Sequence, residues 1–244
     1  MKQPEMLRQA KNEAEPNADH MKALITDLGN KDGVIRLKAS SALLAKKEAA
    51  VHPLIGALSN PNEQLRAEAG KLLDELDVAW SSYDNPQTIN ALIRAIGDTD
   101  GMVRVTARQV LVNMRKTAIA PLKEALLSKI ERQRWEATKA LGQIGDPEAT
   151  EALIGALEDE MFDVRWLASE GLVAIGHKAI VPLLKALHKK PESLWLREGV
   201  HHFLHGIDMG NLGNILLPVR QALEDTDSTL KLPFVIDTAL KSLT

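Results

Sequence analysis

Apolar positions along this chain keep a helical spacing, and the helical pattern itself recurs. The segment L-I-x-A-L, or a close variant, sets its first anchor at Leu24, Leu54, Leu92, Leu122, Leu153, Leu183 and Val219, at intervals of 30, 38, 30, 31, 30 and 36 residues. A basic residue stands twelve positions after the anchor at Arg36, Arg66, Arg104, Arg134, Arg165 and Lys231. In the sixth copy it is Arg197, two places later, because HKKPESLW carries two extra residues. Three positions beyond each arginine come Ala39, Ala69, Ala107, Ala137, Ala168 and Val200, and seven beyond come Leu43, Leu73, Leu111, Leu141, Leu172 and Leu204. Residues at offsets 3, 7 and 10 share one side of a helix. Each copy therefore predicts two helices, a short one holding the anchor and a longer one running through the arginine and the Ala-Leu positions.

The punctuation fits this division. Pro53, Pro121, Pro182 and Pro218 each precede an anchor by one residue and predict the opening of the short helix, where a missing N–H costs no hydrogen bond. The turns NKDG, SNPNEQ and GDTDGM supply N-cap chemistry for the longer helix. Gly145-Asp146-Pro147 and Gly176 mark long-helix ends. In the last copy Pro233 follows Lys231 by two residues, so its final helix is expected to start near Pro233, as an atypical capping unit. The segment 206–214 reads as a flexible connector.

The stretch 134–165, RWEATKALGQIGDPEATEALIGALEDEMFDVR, resembles the consensus of HEAT repeats, in the short form found in phycobilisome lyases. The resemblance covers roughly residues 21–240 and implies an all-α, right-handed α-solenoid of about seven two-helix repeats with capping ends. Residues 1–20, polar and bounded by Pro4 and Pro16, form the expected N-terminal cap, and 21–244 a single continuous array. The resemblance also implies short helices along a concave face. Positions two after each anchor, Thr26, Gly56, Arg94, Glu124, Gly155, Lys185 and Gln221, then face the groove, with Glu151 among those two before.

Composition narrows the functional classes. Thirty Lys and Arg against 33 Asp and Glu give a net charge of −3, without the basic excess of an electrostatic nucleic-acid binder. No cysteine is present, which removes disulfides, thiol catalysis and Cys-ligated zinc. The first twenty residues lack a signal-peptide pattern and no apolar stretch approaches the ~18 residues of a membrane span, so a cytoplasmic location without membrane contact is expected. Aromatics are 3% against 45% hydrophobics, which predicts a core of Leu, Ala, Val and Ile.

Candidate chemistry is sparse. Ser-His-Asp, Walker and nucleophile-elbow patterns do not occur. Deoxyhypusine hydroxylase, an iron enzyme on the same repeat type, would show His-Glu pairs after the basic position, and the chain holds none. A glycosylase of this architecture would need a basic groove with aromatics, which the groove positions lack. Glu198, His201 and His205 fall on one helical face and form the candidate metal-ligating set, for a weakly bound divalent ion, with Asp208 or water completing it; the alternative is a polar joint between repeats. No other cofactor is expected. Trp135 and Trp166 hold equivalent positions in adjacent repeats and read as an inter-repeat contact or a binding surface. Insertion 77–87 carries Trp80 and Tyr83, which read as partner hot spots or as packing over neighbouring helix ends. The expected function is a non-catalytic scaffold holding a protein or peptide on the concave face (Arg94, Glu124, Glu151, Lys185) or through the Trp80/Tyr83 loop. A bilin-lyase-like or cofactor-handling role is the alternative that the resemblance implies.

The register makes Leu141 and Leu172 core positions. Replacing either with Ala is expected to cost about 2–5 kcal/mol, read as a fall in the denaturant midpoint; an unmoved midpoint would displace the register.

Overall fold

A computed structural model describes residues 18–76, 78–225 and 228–243, and among these every regular element is helical. Helix α1 covers 18–27. It is followed by α2 (Gly33–Ala45), α3 (Glu48–Ala57), α4 (Glu63–Glu75), α5 (Pro86–Ala95) and α6 (Gly101–Met114). Then come α7 (Lys116–Ala125), α8 (Glu131–Ile144), α9 (Thr150–Ala156), α10 (Phe162–Ile175), α11 (Ile180–Lys189), α12 (Leu194–Gly206), α13 (Gly213–Glu224) and α14 (Ser228–Leu243). Odd-numbered helices carry the anchors and even-numbered ones the repeated basic residue, so the seven expected pairs are all present. The expected cap over 1–20 lies, up to residue 17, outside the described residues. By its internal contacts the chain groups into two compact units, with the boundary between Met114 and Arg115.

The first unit stacks α2, α4 and α6 on one side and α3 on α5 on the other. All three of its anchors, with Ala39, Ala69, Ala107, Leu43, Leu73 and Leu111, are buried. The second unit layers α8, α10 and α12, with α9 against α11, and its anchors and Ala-Leu positions are buried likewise. Helices α8 and α10 meet at Gly142 and Gly171, where a Cβ on Gly142 would stand 3.0 Å from the Gly171 Cα. Their backbones touch because neither residue has a side chain.

In five of the seven pairs the repeated arginine bonds back to the turn before its own helix. Its Nη1 donates to the carbonyl six residues earlier: Arg36 to Asn30 at 2.8 Å, Arg66 to Asn60 at 2.9 Å, Arg104 to Asp98 at 2.9 Å, Arg134 to Ser128 at 3.0 Å and Arg165 to Asp159 at 2.8 Å. These carbonyls lie just past the short helix, where no intrahelical donor is available. Two arginines also reach the next pair: Arg66 Nε lies 2.7 Å from Asp98 Oδ2, and Arg134 Nε 2.7 Å from Asp159 Oδ2. The hydrogen bond to Asp159 holds the buried Arg134 guanidinium more firmly in its charged form, against the cost of burial. Among the turn carboxylates, Asp98 and Asp159 thus pair with arginines. Asp32 and Asp100 instead cap helix N-termini, accepting from Val34 N and from Met102 N and Val103 N.

Three sequence expectations are corrected. Pro53, Pro121 and Pro218 lie inside their helices, not in the opening turn, because buried residues ahead of the ring, such as Val51 and Ile119, extend the helix N-terminally past one missing hydrogen bond. Pro233 likewise sits inside α14, whose buried face of Leu232, Ile236 and Ala239 runs through it. The run Phe162–Lys189 does contain a window as apolar as a membrane span. It comprises α10, a 3-10 turn at Gly176–Ala179 and α11, and its Val164, Leu172, Leu183 and Leu187 are core.

The last pair is atypical, as expected, and in a specific way. Helix α14 packs on α11 and α13, while α13 packs on α12, so a short helix neighbours a long one. The connector between α12 and α13 is a formed turn. His177 Nε2 lies 2.7 Å from the Asp208 carbonyl, and Asp208 Oδ1 accepts from Gly210 N at 3.0 Å.

Eleven residues after the arginine, the joint between pairs adopts positive φ at Lys47 (47°), Arg115 (52°), Gly145 (65°) and Gly176 (72°). The other two equivalent joints hold the insertions. Lys47 and Arg115 combine this φ with ψ of −119° and −117°, a region natural to glycine alone. Lys47→Gly and Arg115→Gly are each expected to raise stability by about 1 kcal/mol, read by urea unfolding; a loss would mean that no strain is stored there.

Candidate functional site

The second unit concentrates the scarce aromatic side chains. Phe162 opens α10, with Arg165 and Trp166 in the same turn, and Trp195 lies in the first turn of α12. Phe162, Trp166 and Trp195 are 60%, 49% and 40% exposed. They line one open cavity of about 480 Å³ with Arg165, Glu198, His201 and His202. The Arg165 guanidinium lies 4.5 Å from the centroid of the Trp195 ring, and Trp166 meets His202 edge-on at 4.4 Å between ring centroids. Two fixed groups thus orient the indoles: Arg165 is anchored by backbone carbonyls, and His202 contacts Glu170. Trp166 does make an inter-repeat contact, with His202 of the next pair. Trp135 instead carries Lys139 over its ring, 4.7 Å from the centroid.

His201 and His205 sit one turn apart on α12, with ring centroids 4.5 Å apart. Both Nε2 atoms approach the same carboxylate oxygen, Glu224 Oε1 on α13, at 3.3 Å and 3.5 Å. The hydrogen bond from His201, and after it that from His205, holds the Glu224 carboxyl below its usual range. Glu198, His201 and His205, the set read from the sequence, all border the aromatic cavity, but the donor atoms that converge are those of His201, His205 and Glu224, with Glu224 in the place read for Glu198. Glu198 takes no part in that convergence. The exchanged packing of the last pair, which seats α13 on α12, produces this substitution. No local spacing could have revealed it, since Glu224 lies 23 residues from His201. Asp208 is occupied in its own turn.

The positions read as groove-facing, Thr26, Gly56, Arg94, Glu124, Gly155, Lys185 and Gln221, are all exposed. Of the four charged residues singled out, the structure brings two together. Glu124 of α7 and Glu151 of α9 line a groove of about 760 Å³ with Glu158, Asp159 and Leu127. Arg94 belongs to α5 of the first unit, and Lys185, on α11, is not part of the groove's lining. Glu158 is engaged by Ser193 and Lys190, and Asp159 by Arg134. Glu124 and Glu151 make no ion pair among the described residues.

The pattern of "HEAT repeats" matches residues 51–134 and again 130–201. The chain is a HEAT-repeat protein. Among solved structures, this HEAT-repeat chain is similar to the complex of CpcE and CpcF of phycocyanin lyase from Nostoc sp. PCC7120, at 19% identity over 90% of this chain and 94% of that one, with a TM-score of 0.42. An archaeal HEAT-like repeats protein from Thermococcus onnurineus NA1 matches at 13% identity over 90% of this chain and 98% of that one, with a TM-score of 0.44. A designed armadillo repeat protein matches at 18% identity over 80% of this chain and 100% of that one, with a TM-score of 0.40. No curated protein matches the sequence.

In the first unit, the insertion between two HEAT pairs splits its two aromatics. Trp80–Tyr83 forms a 3-10 turn. Tyr83 is buried, its hydroxyl donating to the Glu48 carbonyl at 3.4 Å and its ring lying 5.1 Å from that of His52. Burial, reinforced by the charge of Glu48, pushes the phenol's pKa up. Asn85 caps α5 and places its Nδ2 3.1 Å from His52 Nε2. Tyr83 thus fastens the insertion to α3 and presents little surface to a partner. Trp80 remains half-exposed beside a cavity of about 540 Å³. The sequence reading missed Phe162 and Trp195; the available signal was two tryptophans and a phenylalanine within two places of, or three before, successive repeat arginines.

Tyr83→Phe is expected to lower unfolding stability by about 1 kcal/mol and Tyr83→Ala by about 3–5 kcal/mol. Thermal unfolding checks both, and an unchanged Tyr83→Ala would return the ring to the surface.

Proposed function

We propose that this HEAT-repeat protein is a non-catalytic adaptor that binds a protein or peptide partner, with the aromatic face of α10 and α12 as the main docking surface. The exposure of Phe162, Trp166 and Trp195 around one cavity carries this reading. Large apolar side chains left in water by neighbouring helices mark interaction sites. Trp and Arg are also the residues most enriched where interface energy concentrates. The cavity accepts an apolar partner side chain, and the Arg165–Trp195 stack pre-orients its wall at little entropic cost.

A second face, the groove of α7 and α9, is favoured by the uncompensated carboxylates of Glu124 and Glu151 and suits a basic segment of a partner. The Trp80 turn ranks behind both because Tyr83 is buried.

Affinity capture from the source organism, with mass spectrometry, identifies the partner, and titration calorimetry then ranks the surfaces. Trp166→Ala/Trp195→Ala is expected to weaken binding by about 2 kcal/mol or more, roughly thirtyfold, while the melting temperature stays within a few degrees of the parent. Glu124→Lys/Glu151→Lys tests the groove separately. Equal affinity for the parent and the tryptophan double variant would remove α10 and α12 from the interface.

A further inference from the structure

We propose that His201, His205 and Glu224 form a binding site for a divalent transition-metal ion, of which Zn²⁺ is the natural probe. The donors come from two helices. His201 and His205 are spaced four apart on α12, the interval that sets two imidazoles on one face a turn apart. Glu224 closes the site from the C-terminal end of α13.

The distances suit an ion. Zinc bound by His nitrogen and carboxylate oxygen at roughly 2.0–2.2 Å in tetrahedral geometry separates neighbouring ligand atoms by about 3.4 Å. The structure sets Glu224 Oε1 3.3 Å and 3.5 Å from the two Nε2 atoms. All three ligand atoms lie within 4.8 Å of one another, so a small rotamer adjustment of one imidazole encloses the cation. Two imidazoles and one carboxylate favour Zn²⁺, Co²⁺, Ni²⁺ or Cu²⁺ over the oxygen-seeking Mg²⁺ and Ca²⁺.

The surroundings leave the ligands to one another. His202, the adjacent imidazole, is engaged by Glu170 and Trp166. With three protein ligands, a fourth coordination position stays open for water or an incoming group, as in sites that exchange ligands. His201 and His205 also line the aromatic cavity, so the open position borders it. The site stands independently of the adaptor reading: its ligands neither include the exposed aromatics nor depend on a partner.

The test is calorimetric titration of the metal-free full chain with ZnCl₂ at neutral pH, paralleled by CoCl₂ with visible absorption. One equivalent of Zn²⁺ is expected to bind, with a Co²⁺ spectrum of low coordination number. His201→Ala and Glu224→Gln should each weaken binding at least tenfold, while Glu198→Gln leaves it unchanged. Glu224→Gln keeps shape and exposure, so loss of binding without loss of helicity reports on ligation. Uptake by the parent no greater than that of His201→Ala/His205→Ala would overturn the proposal, as would dependence on Glu198 in place of Glu224.

Discussion

Five of the seven helix pairs are closed by one guanidinium. A helix as short as these ends with carbonyls that have no donor, and the connecting turn would leave them facing a neighbouring helix. An arginine one turn into the following helix turns back to meet them, which fixes the angle at which the chain re-enters. Five successive arginines place Nη1 on the carbonyl six residues earlier within a spread of 2.8–3.0 Å. Lysine could not serve in the same way, because the planar fork bonds a carbonyl with one edge and a carboxylate with the other. Arg66 and Arg134 use that second edge to bind Asp98 and Asp159 of the following pair, so one side chain closes its own turn and joins two repeats. Where the position falls to Lys231, which pairs with Asp225, the regular layering also changes.

Most of this architecture was legible in the chain. Anchors, arginines and Ala-Leu positions recur at fixed spacing, and a recurring position reports its own burial because each copy meets the same neighbours. What could not be read was whatever repetition does not constrain. The helix starts moved ahead of Pro53 and Pro121 because tertiary burial outweighed a local preference. Tyr83 looked like a loop aromatic until α3 was in place to receive its hydroxyl. Glu224 was invisible as a ligand because its approach to α12 depends on the exchanged packing of the final pair.

Apart from the 77–87 insertion, several departures from the repeat fall in α10–α13. A carboxylate at Glu198, where other copies are mostly apolar, borders the aromatic cavity, and the short-on-long packing of α13 brings Glu224 to the histidine pair. A repeat array is stabilised by sameness, and local violations of its rules mark sites where another demand has acted. Both surfaces proposed for the α10–α13 region lie at such violations.

The meeting of Gly142 and Gly171 carries an evolutionary consequence. In most cores a gain of volume on one side can be answered by a loss on the other, so pairs of positions drift together. Here the obstacle to a methyl group on one helix is the backbone of the other, at 3.0 Å, and a backbone has nothing left to trim. On the Gly171 side the Leu153 side chain also stands in the way, at 3.1 Å, and trimming it would still leave the backbone. A side chain at either glycine therefore asks the two helices themselves to move apart by a few tenths of an ångström, a change that no repacking of side chains supplies.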